Sequence, residues 1–379
     1  MFRPAIPMPL AVWAFAVLAT IGGTRPIVAQ DPAPAAPLFT SHEPLEFTLY
    51  ADFDEIRDNR DDTIPHAARL VMSGQDAAGA GTALRLWVRG NFRRQKANCT
   101  FPPLRMDFDK DDPDLGVFAG QNRIKLVVRC RDNDTFEQYV LKEYLAYRLY
   151  GLLADESFRV RLAHITWADT SGKRKPETSW AFMIEDDDDM AARIGAEVLD
   201  LPQIDPRAYD AHQAALMSVF QFMVGNTDMS SMMLHNVVAV KTPTTYLAIP
   251  YDFDWTGLVS ARYAVPDPKV GIQTVRERVY RGVCHDGLDY AAVYARFNEI
   301  RPRIEPLIAS LPLDRGTAER ALDYLDEFYR VIGDERRARR EIESRCREVS
   351  EQTGARLPQL PAAVAGASGP TVPARRASP

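Results

Sequence analysis

The chain has 379 residues, 46% hydrophobic and 26% charged, a globular composition long enough for one large domain or two closely joined lobes. Its net charge of -6 comes from both signs spread along the chain, which argues against nucleic acid as a partner and leaves any anionic ligand dependent on a local basic patch. That composition also excludes disorder as the dominant state.

In chain order, residues 1–29 read as an export signal: Arg3 begins it, Ala11 to Ile21 form its apolar centre, and "IVA" before Gln30 suits cleavage. If uncleaved, the segment becomes a membrane anchor, although the run from Pro9 to Gly23 is short for a span of about 20 residues. Residues 30–43, with "DPAPAAP", form a stiff linker, and the Pro-, Ala- and Ser-rich tail over 351–379 is expected to be disordered. An exported chain with an even number of cysteines is expected to carry two disulfides. Cys99 and Cys130 flank two strand-like runs, and Cys284 precedes a helical tail holding Cys346, so those pairings are preferred among the three possible. No Cys or His spacing suggests zinc.

Residues 44–185 alternate like a sheet: "LEFTLYADF" (45–53), "AARLVMSG" (67–74), "ALRLWVRG" (83–90), "LRMDFD" (104–109) and "RIKLVVRC" (123–130) predict an antiparallel meander. The Gly-rich "SGQDAAGAG" (73–81) reads as a hairpin turn within it. A helix follows through Leu153, N-capped by Asp134 or Thr135, with Phe136, Val140, Glu143 and Tyr147 along one side. Residues 160–168 and 178–185 predict a further hairpin. Residues 186–350 turn helical: "DDDD" (186–189) flanks a helix start, a helix over 206–224 stops at Gly225, and helices over 289–310 and 316–349 close the folded part. A sheet-rich front lobe and a helix-rich back lobe place the chain in the α+β class.

Between Gly225 and Gly257 lies "GNTDMSSMMLHN", then two short strands, "VVAV" (237–240) and "TYLAI" (245–249), then "YDFD". Paired as an antiparallel hairpin, these strands set Asn236, entering the first, opposite Asp252, leaving the second, with Asp228 and Asp254 close by. Carboxylate and amide oxygens are hard ligands suited to Mg2+ or Mn2+, and few of them with open positions suit a cation that also holds substrate phosphates. Such a site supports phosphoryl transfer. The plainer alternative is that these Asx residues cap turns. Phosphates need cations: Arg89 and Arg93, with Arg94 and Lys96, cluster after a strand, and Lys125 or Arg105 could pair with Glu143. Arg276, Arg278 and Arg281 form a basic stripe expected to salt-bridge the acidic loop. His235 is expected to be structural. Serine or cysteine hydrolase chemistry finds no support, because GxSxG is absent and the thiols are expected to be bridged.

On these residues the chain resembles the spore-coat CotH-type atypical kinases of the protein-kinase-like superfamily, chiefly in "GNTDMSSMMLHN…IPYDFDWTG", with "RGNFRR" (89–94) and "WAFMIED" (180–186) similar to further family stretches. The resemblance spans most of 80–260. It implies a two-lobed protein-kinase-like fold, ATP as nucleotide, Asp228 as catalytic base, Asn236 and Asp252 as metal ligands, Asp254 as a second acid beside them, and Glu185 beside the adenine. Two departures stand out: Asp228 and Asn236 are eight apart, longer than the superfamily's catalytic loop, and the last motif residue is Asp254 rather than glycine. The implied function is an exported, metal-dependent phosphotransferase acting on protein or glycan hydroxyls. An inactive cell-envelope binding module of the same fold and a metal-dependent phosphohydrolase are the alternatives.

Overall fold

The computed structural model describes residues 37–75 and 81–349; the expected signal segment, most of the linker, the tip of the 73–81 turn and the tail lie outside them. The first half forms β1 (Leu45–Ala51), a short α1 (Phe53–Asp58), β2 (Pro65–Met72), β3 (Thr82–Val88), β4 (Leu104–Asp107), β5 (Arg123–Val127), α2 (Asp134–Leu153), β6 (Val160–Asp169) and β7 (Glu177–Ile184). The period-two alternation read from the sequence is real: β1 buries Leu45, Phe47, Leu49 and Ala51 and turns the residues between them outward. Strands β2 and β3 pair antiparallel, from Leu70 opposite Thr82, as a turn between them requires.

The meander does not stay open. Strand β6 runs parallel along β1, from Leu45 beside Ala163 to Ala51 beside Asp169, and β7 joins β6 to β5, closing a seven-stranded mixed barrel in the order β1-β2-β3-β4-β5-β7-β6. Closure leaves no unpaired strand edge in the ring. Its interior is a core of its own, centred on Phe47, Leu86, Met106, Phe118, Leu126 and Met183.

This closed barrel with packed helices overturns the expected two-lobed protein-kinase-like fold. A kinase-like front lobe is an open antiparallel sheet, whereas here the first strand finds a parallel partner and no edge remains. A larger core continues from the outside of the barrel into the helices: Val160, Phe182 and Ile184 share it with α2 residues Leu145 and Tyr150 and with Phe220, Phe297 and Phe328 farther along the chain.

The second half comprises α3 (Asp187–Arg193), β8 (Glu197–Val198), α4 (Ala211–Val224), β9 (Val237–Lys241), β10 (Tyr246–Pro250), α5 (Tyr290–Ala309), α6 (Arg315–Ile332) and α7 (Glu335–Glu341). Strands β8, β9 and β10 make a small antiparallel sheet. The long helix expected over 316–349 is two, because the chain breaks after Ile332 and Asp334 caps α7 through its carboxylate on the Arg337 N–H. Helix α2 has its expected span, but its N-cap is Asn133, which accepts from the Phe136 N–H. Asp186 caps α3. Both preferred disulfides are present, Cys99–Cys130 and Cys284–Cys346, a pattern that belongs to an oxidising, extracellular or periplasmic environment. Among the described residues no helix is long and apolar enough to cross a membrane.

Candidate functional site

Helix α4, buried along almost its whole length, ends at Gly225 in the left-handed conformation (φ 67°). Gly225 and Gly257 also meet there, the Gly257 N–H donating to the Gly225 carbonyl at 3.0 Å, and a Cβ on either would lie within 2.2 Å of the Tyr324 hydroxyl. Larger residues would therefore push apart the two segments that carry the candidate acids.

After Gly225 the loop folds on itself. The Asn226 side-chain oxygen accepts the Asp228 N–H at 2.9 Å, and Ser230 and His235 exchange two backbone hydrogen bonds. This small hairpin returns Asn236 to Asp228, so the Asn236 amide donates to the Asp228 carbonyl at 2.6 Å and to its Oδ2 at 3.2 Å. His235 Nε2 lies 3.1 Å from Asp228 Oδ1. That hydrogen bond comes first among the causes that raise the His235 pKa; burial opposes it, and the charges of Asp228 and Asp252 add to it.

Strands β9 and β10 then pair with Val237 opposite Pro250, and the Tyr251 N–H donates to the Asn236 carbonyl at 3.1 Å. Asn236 thus faces Tyr251 rather than Asp252, one residue from the expected register. Both Asn236 (φ 55°) and Asp252 (φ 60°) take left-handed backbone, which short polar side chains tolerate best. The Asp252 N–H donates to the Tyr147 hydroxyl at 2.9 Å, while Phe253 is fully buried against the Tyr147 ring, centroids 4.7 Å apart. Tyr147 lies one turn beyond Glu143 on α2, which is why one helix face reaches both ends of the "DFD" stretch.

Glu143, Asp252 and Asp254 consequently gather near one guanidinium, Arg93, which lies within 4 Å of Glu143 and Asp254. Arg93 Nη1 stands 3.9 Å from Glu143 Oε2 and 3.9 Å from Asp254 Oδ2, while Nη2 donates to the Val128 carbonyl. Tyr263 donates its hydroxyl to Asp254 Oδ2 at 2.9 Å, and Asp252 lies near enough for its charge to act on Asp254. Burial, then the Asp252 charge, pushes the Asp254 pKa up to about 7 against the pull of Arg93. Glu143 is raised well above the carboxylate range, first by burial and then by Asp254 and Asp252. Burial opposes the Arg93 charge, but Tyr263, Asp254, Glu143 and Asp252 outweigh it and hold the guanidinium above its ordinary value.

The loop bearing Arg93 is placed by packing and covalent chemistry. Phe92 sits on Trp255 and Tyr263, with ring centroids 5.3 and 5.8 Å away. The Cys99–Cys130 bridge packs with Phe136, Tyr139, Val259 and Ala261, binding this loop to the start of α2 and to the segment after Asp254. Arg89 lies within charge reach of Glu143 and Tyr147 and forms no ion pair among the described residues.

Other sequence-derived candidates stand elsewhere. Arg105 grips Asp107 on its own strand, Nε to Oδ1 at 2.7 Å, and stacks on Trp87. Lys125 pairs with Asp187 and lies over the Phe158 and Tyr251 rings. Neither meets Glu143, whose cation is Arg93, because Arg105 and Lys125 are cross-strand neighbours with nearer acids of their own. Glu185 is buried, held by Arg193 through Nε and Nη2 at 2.9 Å each, and accepts the Arg159 N–H at 3.1 Å, so its oxygens are engaged structurally rather than free for an adenine. In the basic stripe, Arg278 pairs with Glu327 and stacks on Tyr324, whereas Arg281 feels the Asp267 and Asp228 charges without an ion pair among the described residues. Tyr263, which sequence reasoning missed, carries no local signal: it lies nine positions beyond Asp254 along irregular chain.

Among the described residues no group of three or more His, Cys, Asp or Glu side chains is arranged to hold a metal ion. The nearness of the Asp252 and Asp254 carboxylates still fits a hard divalent cation as a two-carboxylate site, the kind magnesium uses when waters and substrate phosphates complete its shell. Comparison with protein-family models and with curated proteins returned no match to this chain.

Proposed function

We propose that the chain is an exported, metal-dependent phosphotransferase of the CotH-like kind that uses ATP and acts on protein or glycan hydroxyls. The observation that carries this reading is the convergence of Glu143, Asp252 and Asp254 at the exit of the β9–β10 hairpin, where the Arg93 guanidinium lies within 4 Å of Glu143 and Asp254 alone. Burial and the Asp252 charge push the Asp254 pKa up to about 7, which marks a place where negative charge is in excess, and a bound cation relieves that excess.

Asp252 and Asp254 would hold Mg2+ or Mn2+, which when bound neutralises phosphate charge. Asp228, its side chain 39% exposed, is the acid able to accept a proton from an incoming hydroxyl, and Asn236 and His235 fix its carboxylate in one orientation. Arg89, half-buried and without an ion pair among the described residues, supplies a positive charge toward phosphates on the same side as Glu143. Arg93 holds Glu143 and Asp254 in place.

Purified full-length protein incubated with Mg2+ or Mn2+, labelled ATP and a hydroxyl-rich acceptor protein tests this reading. Transfer of label, lost in Asp252→Ala and slowed about a hundredfold or more in Asp228→Asn with nucleotide affinity retained, is the expected result. Correctly folded protein that binds neither nucleotide nor divalent cation overturns it in favour of a binding module. Phosphate release from a simple phosphoester, abolished by Asp252→Ala and without transfer to the acceptor, overturns it in favour of a phosphohydrolase.

A further inference from the structure

Helix α2 turns Glu143 toward the acids and its neighbour Lys142 toward a different place. There, the N-terminal half of α2, the segment 258–262 and the start of α6 enclose a cleft of about 930 Å3. Lys142, Arg262, Arg276 and Arg320 line it, and among the described residues none of the four forms an ion pair. Three acids share the cleft: Asp314 accepts from the Thr317 N–H and hydroxyl, both at 2.8 Å, Glu137 accepts the Trp180 N–H at 2.6 Å, and Asp134 is exposed with no ion pair among the described residues.

The cations press on one another. Lys142 donates to the Val259 carbonyl, and its pKa is pushed down to about 8, first by burial and then by Arg320 and Arg276, with Asp314 opposing. Four cations against three carboxylates leave the lining net positive, and a bound oxyanion offsets that excess. Ser260 adds a second sign, because it lines the cleft in left-handed backbone (φ 49°), a conformation costly for serine that recurs where chains clamp ligands.

We propose that this cleft binds a small phosphate monoester, its oxyanion held by Lys142, Arg276 and Arg320 and its body lying in the remaining volume. Three cations suit a dianion better than a single carboxylate, and guanidinium forks match phosphate oxygens. The volume lies within the range of small-molecule sites, about 300–1,000 Å3, and exceeds what a bare oxyanion fills. The site is separate from the proposed metal pair and does not depend on that reading.

Titration calorimetry on the full chain in EDTA, at constant ionic strength, tests it with phenyl phosphate, inorganic phosphate and acetate. Phenyl phosphate should bind at least tenfold more tightly than acetate and more tightly than inorganic phosphate. Arg276→Gln and Arg320→Gln, both at exposed positions, should each weaken it fivefold or more, and Lys142→Met more still, while Asp252→Ala changes nothing. Equal affinity for acetate and phenyl phosphate, unchanged affinity in the Arg276→Gln/Arg320→Gln double variant, or binding of polyanions alone overturns the proposal. If Lys142→Met fails to fold, the arginine variants decide the matter.

Discussion

Two acid-rich stretches behave in opposite ways. In "EDDDDM", Glu185 is forked by Arg193, Asp187 is met by Lys125, and Asp186 and Asp188 lie 3.6 and 3.4 Å from Arg123; the run starts α3 and locks it to the barrel. In the group made by Glu143, Asp252 and Asp254, contributed by α2 and the "DFD" stretch, only Arg93 touches acids, and it stands 3.9 Å from two of them. Four of the five acids in the denser run meet a cation; Asp189 has no ion pair among the described residues, and burial, then the Asp186, Glu185 and Asp188 charges, push its pKa up to about 6. Excess charge arises where distant segments bring acids together without bringing cations in equal number, so tertiary convergence rather than local density marks the candidate site.

Four experiments break or sharpen this contrast. Arg93→Met should have the largest effect, destabilising the protein by about 4 kcal/mol in urea unfolding at pH 8, because it strands buried carboxylates. The loss should shrink at pH 5, where Glu143 and Asp254, with their raised pKa values, carry protons. Removing the Cys99–Cys130 bridge as a double serine variant should cost about 3 kcal/mol, since it frees the loop that delivers Arg93. If that variant keeps the Arg93→Met penalty unchanged, the bridge does not position the guanidinium.

Asp254→Asn acts the other way. A carboxyl whose folded pKa of about 7 exceeds its unfolded value binds more protons when folded, so its contribution is full below the ordinary carboxylate range and is lost as pH rises through about 7. Wild type should therefore lose melting temperature from pH 5 to pH 8, and the asparagine variant should flatten that slope and gain about 2 kcal/mol at pH 8. A steeper slope in the variant would reverse the assignment. The smallest effect belongs to the denser run: Arg123→Gln, a partly exposed partner, should cost less than about 1 kcal/mol. A larger cost there than at Arg93 would dissolve the distinction between the two stretches.

Strand and helix positions in the front half were legible because burial alternates along β1 and because α2 carries continuous apolar faces. The β9–β10 hairpin was legible too, since a short turn between strands forces antiparallel pairing; its register slipped by one because the strand ended at Pro250, leaving Tyr251 opposite Asn236. Arg93 was visible only as one member of a basic cluster. Its selection over Arg105 and Lys125 as the partner of Glu143 depends on the Phe92 packing against Trp255 and Tyr263, contacts across more than 160 residues that no local pattern carries.

By itself the sequence determined most of the strands and helices and the expectation of two disulfides, because these rest on local periodicity, turn chemistry and the compartment implied by even cysteines, while which cysteines pair was a preference among three that the structure matches. Tertiary structure alone decided that β6 closes the sheet beside β1, which replaced the expected two lobes with a barrel, and that one guanidinium rather than several faces the buried acids. Both outcomes turn on which distant surfaces fill each other's space and satisfy each other's polar groups, and that competition is settled among whole segments rather than within any one of them.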